Sequence, residues 1–281
     1  MCTKEFCYGS TKLQIKKFNL NDMVDHCTIA IIAKRASGKS FLTKEIMYCK
    51  KNVSCAVAIS RTEKLNSFYS EFIPDIYIYS EYSSDVLSRI FERQSIMNGI
   101  NSERIKQGKK PKNDSLFLIM DDCMSSKGTW TKDPHILELF FNGRHHHLSF
   151  ILTMQYSVGI PPEMRSNFDY VFLLAEDIIS NRKRLYDHYA GMFPSFDIFQ
   201  QVFSDITDDY GILVIDNRVR SKNITDKVFW YKAKKVPSFH IGNKSYHTYH
   251  DKSYNTSWDK KDTNFNTFLN KKNKIIVEKI I

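Results

Sequence analysis

No run of the roughly 18 consecutive apolar residues needed to cross a bilayer occurs anywhere in the 281-residue chain, so a transmembrane helix is not expected. The first residues carry no apolar leader, and the six cysteines (Cys2, Cys7, Cys27, Cys49, Cys55 and Cys123) form no CxxC pair. Together these absences argue for free thiols in a reducing compartment and against a zinc site on this spacing. No internal repeat is present. Acidic residues are scarce only at one end. Residues 1–216 hold 26 Lys/Arg against 26 Asp/Glu, whereas residues 217–281 hold 15 against 5, so the whole net charge of +10 lies in the last quarter. Such a segment suits a polyanionic partner, either nucleic acid or an anionic membrane surface, or else a solvated tail.

What is present is enough for a core: 42% of residues are apolar, which argues against wholesale disorder, and the length suits one large α/β domain or one domain with a small appendage. Leu13 to Phe18 alternates weakly, as a leading strand would. Short, continuous apolar runs at Thr28–Ala33, Val53–Ile59, Leu116–Met120, Leu148–Met154, Asp169–Ala175 and Tyr210–Ile215 read as buried parallel strands, with a further short one at Ile76–Tyr79. Helices are expected from about Gly38 to Lys51, from Ser83 to about Gly108 with Ser84 or Asp85 as cap, and from Asp133-Pro134 to Asn142. Others should follow Pro161-Pro162 and span Arg182–Tyr189 and Phe196–Phe203. Alternating strands and helices predict a mostly parallel sheet with helices on both faces. Val228–Lys232 is expected as an edge strand, and from about Gly242 the chain reads as polar and mobile. The resulting division is a lead-in strand over 1–24, a main domain over 25–217 and a basic extension over 218–281.

Three constellations carry chemistry. The first is Ala33-Lys34-Arg35-Ala36-Ser37-Gly38-Lys39-Ser40, followed by Phe41. It matches the phosphate-binding loop G-x-x-x-x-G-K-[ST], except that Ala33 stands where the first glycine is usual. In such a loop the backbone N–H groups and the helix N-terminus cradle phosphate oxygens. Lys39 would reach the β- and γ-phosphates, and Ser40 would ligate Mg²⁺. An apolar strand before the loop and an amphipathic helix after it raise the signal well above a bare GKS tripeptide. The second constellation is Asp121-Asp122, at the carboxyl end of the most apolar strand. Asp121 suits the magnesium shell and Asp122 a general base acting on water. Adjacent carboxylates also occur in ordinary turns, but ligands gather at strand carboxyl ends in such sheets. The third is Asn142-Gly143-Arg144-His145-His146-His147, with Gln155 at the end of the strand that follows. Arg144 would neutralise charge on a transferring phosphoryl group, in a neighbouring subunit, with Arg165 the second candidate. Gln155 would sense the γ-phosphate or orient water. Adjacent histidines point in alternating directions, which disfavours one metal site using all three. The cluster Arg182-Lys183-Arg184 either faces DNA or forms a solvated helix face.

Taken together, IIAKRASGKS at 31–40, LFLIMDDC at 116–123, FNGRHHHLSFILTMQ at 141–155, NRKRLYDHYAGMFPSF at 181–196 and DDYGILVID at 208–216 resemble the poxvirus-type virion DNA-packaging ATPases of nucleocytoplasmic large DNA viruses, within the FtsK–HerA superfamily of P-loop ATPases. The resemblance covers about residues 25–217. It implies an α/β P-loop NTPase fold of the RecA or FtsK–HerA kind. It also implies an ATP-driven ring motor that moves double-stranded DNA into a preformed capsid, with Mg²⁺ as cofactor. It assigns Lys39 and Ser40 to Walker A, Asp121 to the Walker B magnesium site, Asp122 to the catalytic carboxylate, Arg144 to the arginine finger and Gln155 to the sensor. A capsid or inner-membrane component of the virion is the implied partner, and the host cytoplasm (the viral factory) and the virion the implied location. Asp122 stands where glutamate is often found, one methylene longer. Two alternatives remain: a P-loop kinase acting on a nucleoside or other small molecule, and a nucleotide-regulated assembly scaffold.

Overall fold

In the computed structural model, which describes residues 3–8, 11–123, 130–156 and 159–255, the chain builds one ten-stranded sheet flanked by helices. The strands are β1 (Thr3–Tyr8), β2 (Thr11–Lys17), β3 (Thr28–Ile32), β4 (Cys55–Ser60), β5 (Ile78–Tyr79), β6 (Leu116–Asp121), β7 (Leu148–Met154), β8 (Tyr170–Leu173), β9 (Gly211–Asp216) and β10 (Val228–Lys232). The helices are α1 (Lys39–Cys49), α2 (Glu63–Asn66), α3 (Ser84–Lys106), α4 (Pro134–Asn142), α5 (Pro162–Arg165), α6 (Ile179–Tyr189), α7 (Phe196–Thr207) and α8 (Lys244–Ser253). The sheet order is β1-β2-β10-β9-β8-β3-β7-β6-β4-β5. From β8 through β3, β7, β6 and β4 to β5 every pairing is parallel, while β9 is antiparallel to both of its neighbours.

The expected mostly parallel α/β sheet is therefore present, and its hydrophobic pattern explains the two layers. Along each central strand the side chains alternate between faces. Ala30, Ile32, Leu118, Met120, Phe150 and Leu152 join the core under α3, α4 and α7. Ile29, Ile31, Phe117, Ile119 and Ile151 join the core under α1. With both faces covered, the strands read as continuous apolar runs. The same alternation places Asp121, two residues beyond Ile119, on the α1 face.

Helix ends follow local chemistry. The Ser83 side chain accepts from the Asp85 N–H at the start of α3, and Asp133 accepts from the His135 N–H at the start of α4, whose first residue is Pro134. Buried Gln94 donates to the carbonyls of Asp114 and His146, fastening α3 to the amino ends of β6 and β7.

Two expectations about the second half of the chain give way. Val228–Lys232 is an interior strand, antiparallel to β9 and parallel to β2, because the amino-terminal hairpin β1-β2 extends the sheet beyond it. The segment after Gly242 is not a mobile tail as far as Asn255. It forms α8, capped by the Asn243 side chain. Tyr246 stacks on Tyr77 with ring centroids 4.0 Å apart, and its hydroxyl donates to the Ala56 carbonyl at 2.7 Å, while the Asn243 N–H donates to the Ser54 carbonyl. The segment thus covers the side of β4 that short β5 leaves open, which a polar composition does not reveal. Residues 256–281 of the expected extension lie outside the described residues.

Because Tyr246 is buried and seals that strand edge, Tyr246→Ala is expected to lower unfolding free energy by about 3 kcal/mol, read from a urea melt at unchanged m-value. A loss below about 0.5 kcal/mol would show that α8 adds nothing to the fold.

Candidate functional site

The carboxyl ends of β3, β4, β6 and β7 meet at one edge of the sheet, and strand register sets what stands there. Ser60 pairs across with Asp121, and Asp121 with Thr153. Three polar side chains from adjacent strands therefore lie in one row on the α1 face. The loop that follows β3 enters beside them.

Ala33 needs no glycine. Its N–H donates to the Met154 carbonyl at 2.9 Å, so the residue continues the β3–β7 ladder, and its side chain is buried. The left-handed backbone of the loop falls instead on Ala36 (φ 60°) and Gly38 (φ 97°). Gly38 supplies a conformation that side-chain-bearing residues rarely adopt, and α1 begins at the next residue. The Ser37 hydroxyl donates to the Lys34 carbonyl at 2.7 Å and closes the turn.

Lys39 is the centre of the site. Its ammonium lies 2.7 Å from Asp122 Oδ2 and 3.0 Å from Asp121 Oδ1. Burial opposes the charge on Lys39, but the two carboxylates outweigh it and hold the group above the usual lysine range. The Gln155 amide donates to Asp122 Oδ2 at 2.9 Å. Lys39, Asp121, Asp122 and Gln155, to which the resemblance assigned Walker A, Walker B, catalytic-carboxylate and sensor roles, thus converge. Asp122 adopts a left-handed φ of 51°. Aspartate tolerates that region better than most side chains, which gives a backbone reason for the shorter acid.

Two site residues were not singled out in the sequence. The Thr153 hydroxyl donates to Asp121 Oδ1 at 2.5 Å and accepts from the Asp122 N–H at 3.2 Å, and the Ser60 hydroxyl donates to Asp121 Oδ2 at 3.3 Å. Both orient the acids. Thr153 was legible as the residue two before Gln155, hence on the same face of β7. Ser60 required the register.

An open cavity of about 770 Å³ lies over this cluster, lined by the loop from Ala33 to Phe41, by Asp121, Asp122 and Gln155, and by Thr62, Asn66 and Phe68. Its other wall comes from Tyr210, Ile212, Lys232 and Ala233, late in the chain. The 62–70 wall is shaped by buried Glu63, whose carboxylate accepts from the N–H groups of Tyr69 and Ser70, both at 2.8 Å. The far wall is tied to α1 by Glu45, which accepts from the Tyr231 hydroxyl and the Lys234 N–H at 2.8 Å each. Ser40 and Asp121 offer a hydroxyl and a carboxylate facing the same cavity, the hard-oxygen donor set that suits Mg²⁺ alongside phosphate oxygens and water.

The arginines stand elsewhere. Arg144 lies in the turn Gly143–His146 that leads into β7, so the whole strand, about 20 Å at its usual rise, separates it from Gln155. Its guanidinium pairs with Asp169 Oδ1 at 2.6 Å, and the other oxygen of Asp169 accepts from the Thr28 N–H. Arg165 ends α5, on the approach to the amino end of β8. Neither reaches the Lys39 cluster. The histidines diverge: His146 meets Glu138, while His147 meets Asp114 and stacks on His26. Arg182 turns inward, donating to the Glu176 carbonyl and the Ser204 hydroxyl, so it braces α6 against α7, whereas Lys183 pairs with Asp187 along the helix.

No protein-family model matches the chain. Relatives among curated proteins are nonetheless clear. Uncharacterized protein L437 of Acanthamoeba polyphaga mimivirus is 42% identical over 247 residues, 88% of this chain and 86% of its own length. Uncharacterized protein 088R of Invertebrate iridescent virus 3 is 39% identical over 206 residues, 73% of this chain and 75% of its own. Among solved structures, B204, the DNA-packaging ATPase from Sulfolobus Turreted Icosahedral Virus, superposes with a TM-score of 0.51 at 19% identity, over 76% of this chain and 100% of its own. At that identity the likeness concerns the fold.

The shared ammonium makes a thermodynamic prediction. Lys39→Met leaves two adjacent, mostly buried carboxylates without their cation, so it should destabilise the chain, and Asp122→Asn in the same chain should recover part of the loss. A double-mutant cycle on unfolding free energy should give a coupling of at least about 1 kcal/mol. Strict additivity would mean that the pair is not formed in solution.

Proposed function

We propose that this chain, which belongs to one family with L437 of Acanthamoeba polyphaga mimivirus and 088R of Invertebrate iridescent virus 3, is a packaging ATPase of the poxvirus type, an ATP-hydrolysing motor that drives double-stranded DNA into the viral capsid. The observation that carries the reading is the convergence of Lys39, Asp121, Asp122 and Gln155 beneath a cavity walled by the phosphate-binding loop.

The geometry suggests an order of events. In the structure Lys39 pairs with Asp122. A triphosphate seated on the loop offers the ammonium a stronger partner in its β- and γ-phosphate oxygens, and Lys39 leaves the carboxylates for them. Asp122 is then free to take the proton of a water whose oxygen attacks the γ-phosphorus, while the bond to ADP breaks. Gln155, already bonded to Asp122, is placed to orient that water. Thr153 and Ser60 hold Asp121 in the cavity that Ser40 also lines, and Mg²⁺ held by these two residues would supply charge neutralisation on the phosphate oxygens. Substrate binding and release of the base are thus one movement of one side chain.

The basic excess after residue 217 favours contact with phosphates without reading sequence. Arg144, exposed and remote from its own site, suits a finger offered to the next subunit of a ring. A capsid or inner-membrane component of the virion is the proposed docking partner, and the viral factory of the host cytoplasm and the virion the proposed setting. Among the described residues no helix is long and apolar enough to cross a membrane.

The deciding experiment is ATP turnover by the purified chain with and without double-stranded DNA at two salt concentrations. DNA should stimulate turnover, more at low salt, and Lys39→Ala and Asp122→Asn should each lower it by at least about 100-fold. Phosphorylation of an added nucleoside would replace the motor with a kinase. Slow turnover under every condition would make the protein a nucleotide-regulated scaffold.

A further inference from the structure

One wall of the cavity is built from strained backbone. Asp209 (φ 48°) and Tyr210 (φ 58°) are consecutive left-handed residues, neither of them glycine. For a bulky aromatic residue this conformation is rare and costs energy that the surroundings must impose. They do so from both sides. The next residue is Gly211, where a Cβ would sit 1.8 Å from the Ile206 carbonyl oxygen, so the chain passes directly against the end of α7. Across the elbow Lys232 pairs with Asp209 at 2.5 Å.

The strain gains no internal packing. Tyr210 is 62% exposed and joins neither apolar core among the described residues. Its ring is instead held over the phosphate-binding loop, with Cδ1 3.7 Å from where a Cβ on Gly38 would lie. A backbone that spends energy to hold an aromatic face in solvent, above a loop shaped for phosphates, has the form of a ligand clamp. The wall also contrasts with the acidic side of the cavity. Asp121 and Asp122 mark where the terminal phosphate goes, and Tyr210, Ile212 and Ala233 stand away from them and are largely apolar. A nucleotide bound with its terminal phosphate at Lys39 would direct its other end along this wall.

We propose that Tyr210 is the base-stacking residue of the nucleotide site, its ring held by the Asp209-Tyr210-Gly211 elbow to pack on the purine face, with Ile212 and Ala233 completing the apolar floor. The assignment rests on the reading of the site as an ATP site. It makes Tyr210 a specificity-determining residue that acts on affinity for the nucleoside part alone.

The test compares two ligands of the full chain: ATP, and inorganic tripolyphosphate, which has the phosphates without the base. Tyr210→Ala should weaken ATP binding by about 10- to 100-fold, the range that aromatic–base stacking supports, and leave tripolyphosphate binding within about twofold of wild type. Tyr210→Phe should retain wild-type affinity for both. Etheno-ATP bound to the wild-type chain should also be shielded from acrylamide quenching, a readout that requires no variant. If Tyr210→Ala weakens both ligands equally, the elbow shapes the loop and does not hold the base. If ATP affinity does not change, or the bound etheno-base stays fully quenchable, the proposal is wrong. Failure of the wild-type chain to bind either ligand would instead sink the nucleotide-site reading beneath it.

Discussion

The site depends on one ammonium group shared by two carboxylates. Without Lys39, Asp121 and Asp122 would bring adjacent negative charges into a largely buried position, and without the acids the lysine would be a half-desolvated cation. Each half makes the other tolerable. The arrangement is also poised to be broken, because a phosphate-rich ligand competes for the same ammonium. The rest of the fold serves to bring these three residues together. Strand β7 lies between β3, which carries the loop, and β6, which carries the acids, and its own residues Thr153 and Gln155 fill the gap at the sheet's end.

Much of this was legible in the sequence because it rests on local rules. Short continuous apolar runs located the central strands, and the residue types at 33–40, 121–122 and 155 named the chemistry. What stayed hidden depended on register or on contacts distant in sequence. Ser60 becomes a partner of Asp121 only through the β4–β6 pairing across 61 residues. Ala33 looked like a departure because the motif expects glycine, yet the residue is still in the strand ladder and needs no special backbone freedom. Asp122 likewise stands where glutamate is often found, and its left-handed φ gives a backbone reason for aspartate there.

The carboxyl-terminal quarter was hardest to read, since its composition is that of a solvated tail. For its described part, as far as Asn255, three contacts decide otherwise: Tyr231 and Lys234 on buried Glu45 of α1, and Tyr246 on the open edge of β4. Through Glu45 this segment braces the helix that starts at Lys39, and through Lys232 it grips the Asp209-Tyr210 elbow. The basic quarter is therefore part of the wall of the cavity over Lys39 as well as the proposed source of contacts to polyanions. Arg144 lies at the opposite end of the sheet, and that separation would place any role in hydrolysis at a junction between subunits.

The central claim is that the ammonium of Lys39, paired with Asp122, is handed to phosphate when a triphosphate binds. Calorimetric titration of ATP into Asp122→Asn tests it most directly. Removing the competing carboxylate should leave ATP affinity equal to wild type or tighten it several-fold, by about 1 kcal/mol. A clear loss of affinity in Asp122→Asn, with Lys39 intact, would contradict the exchange.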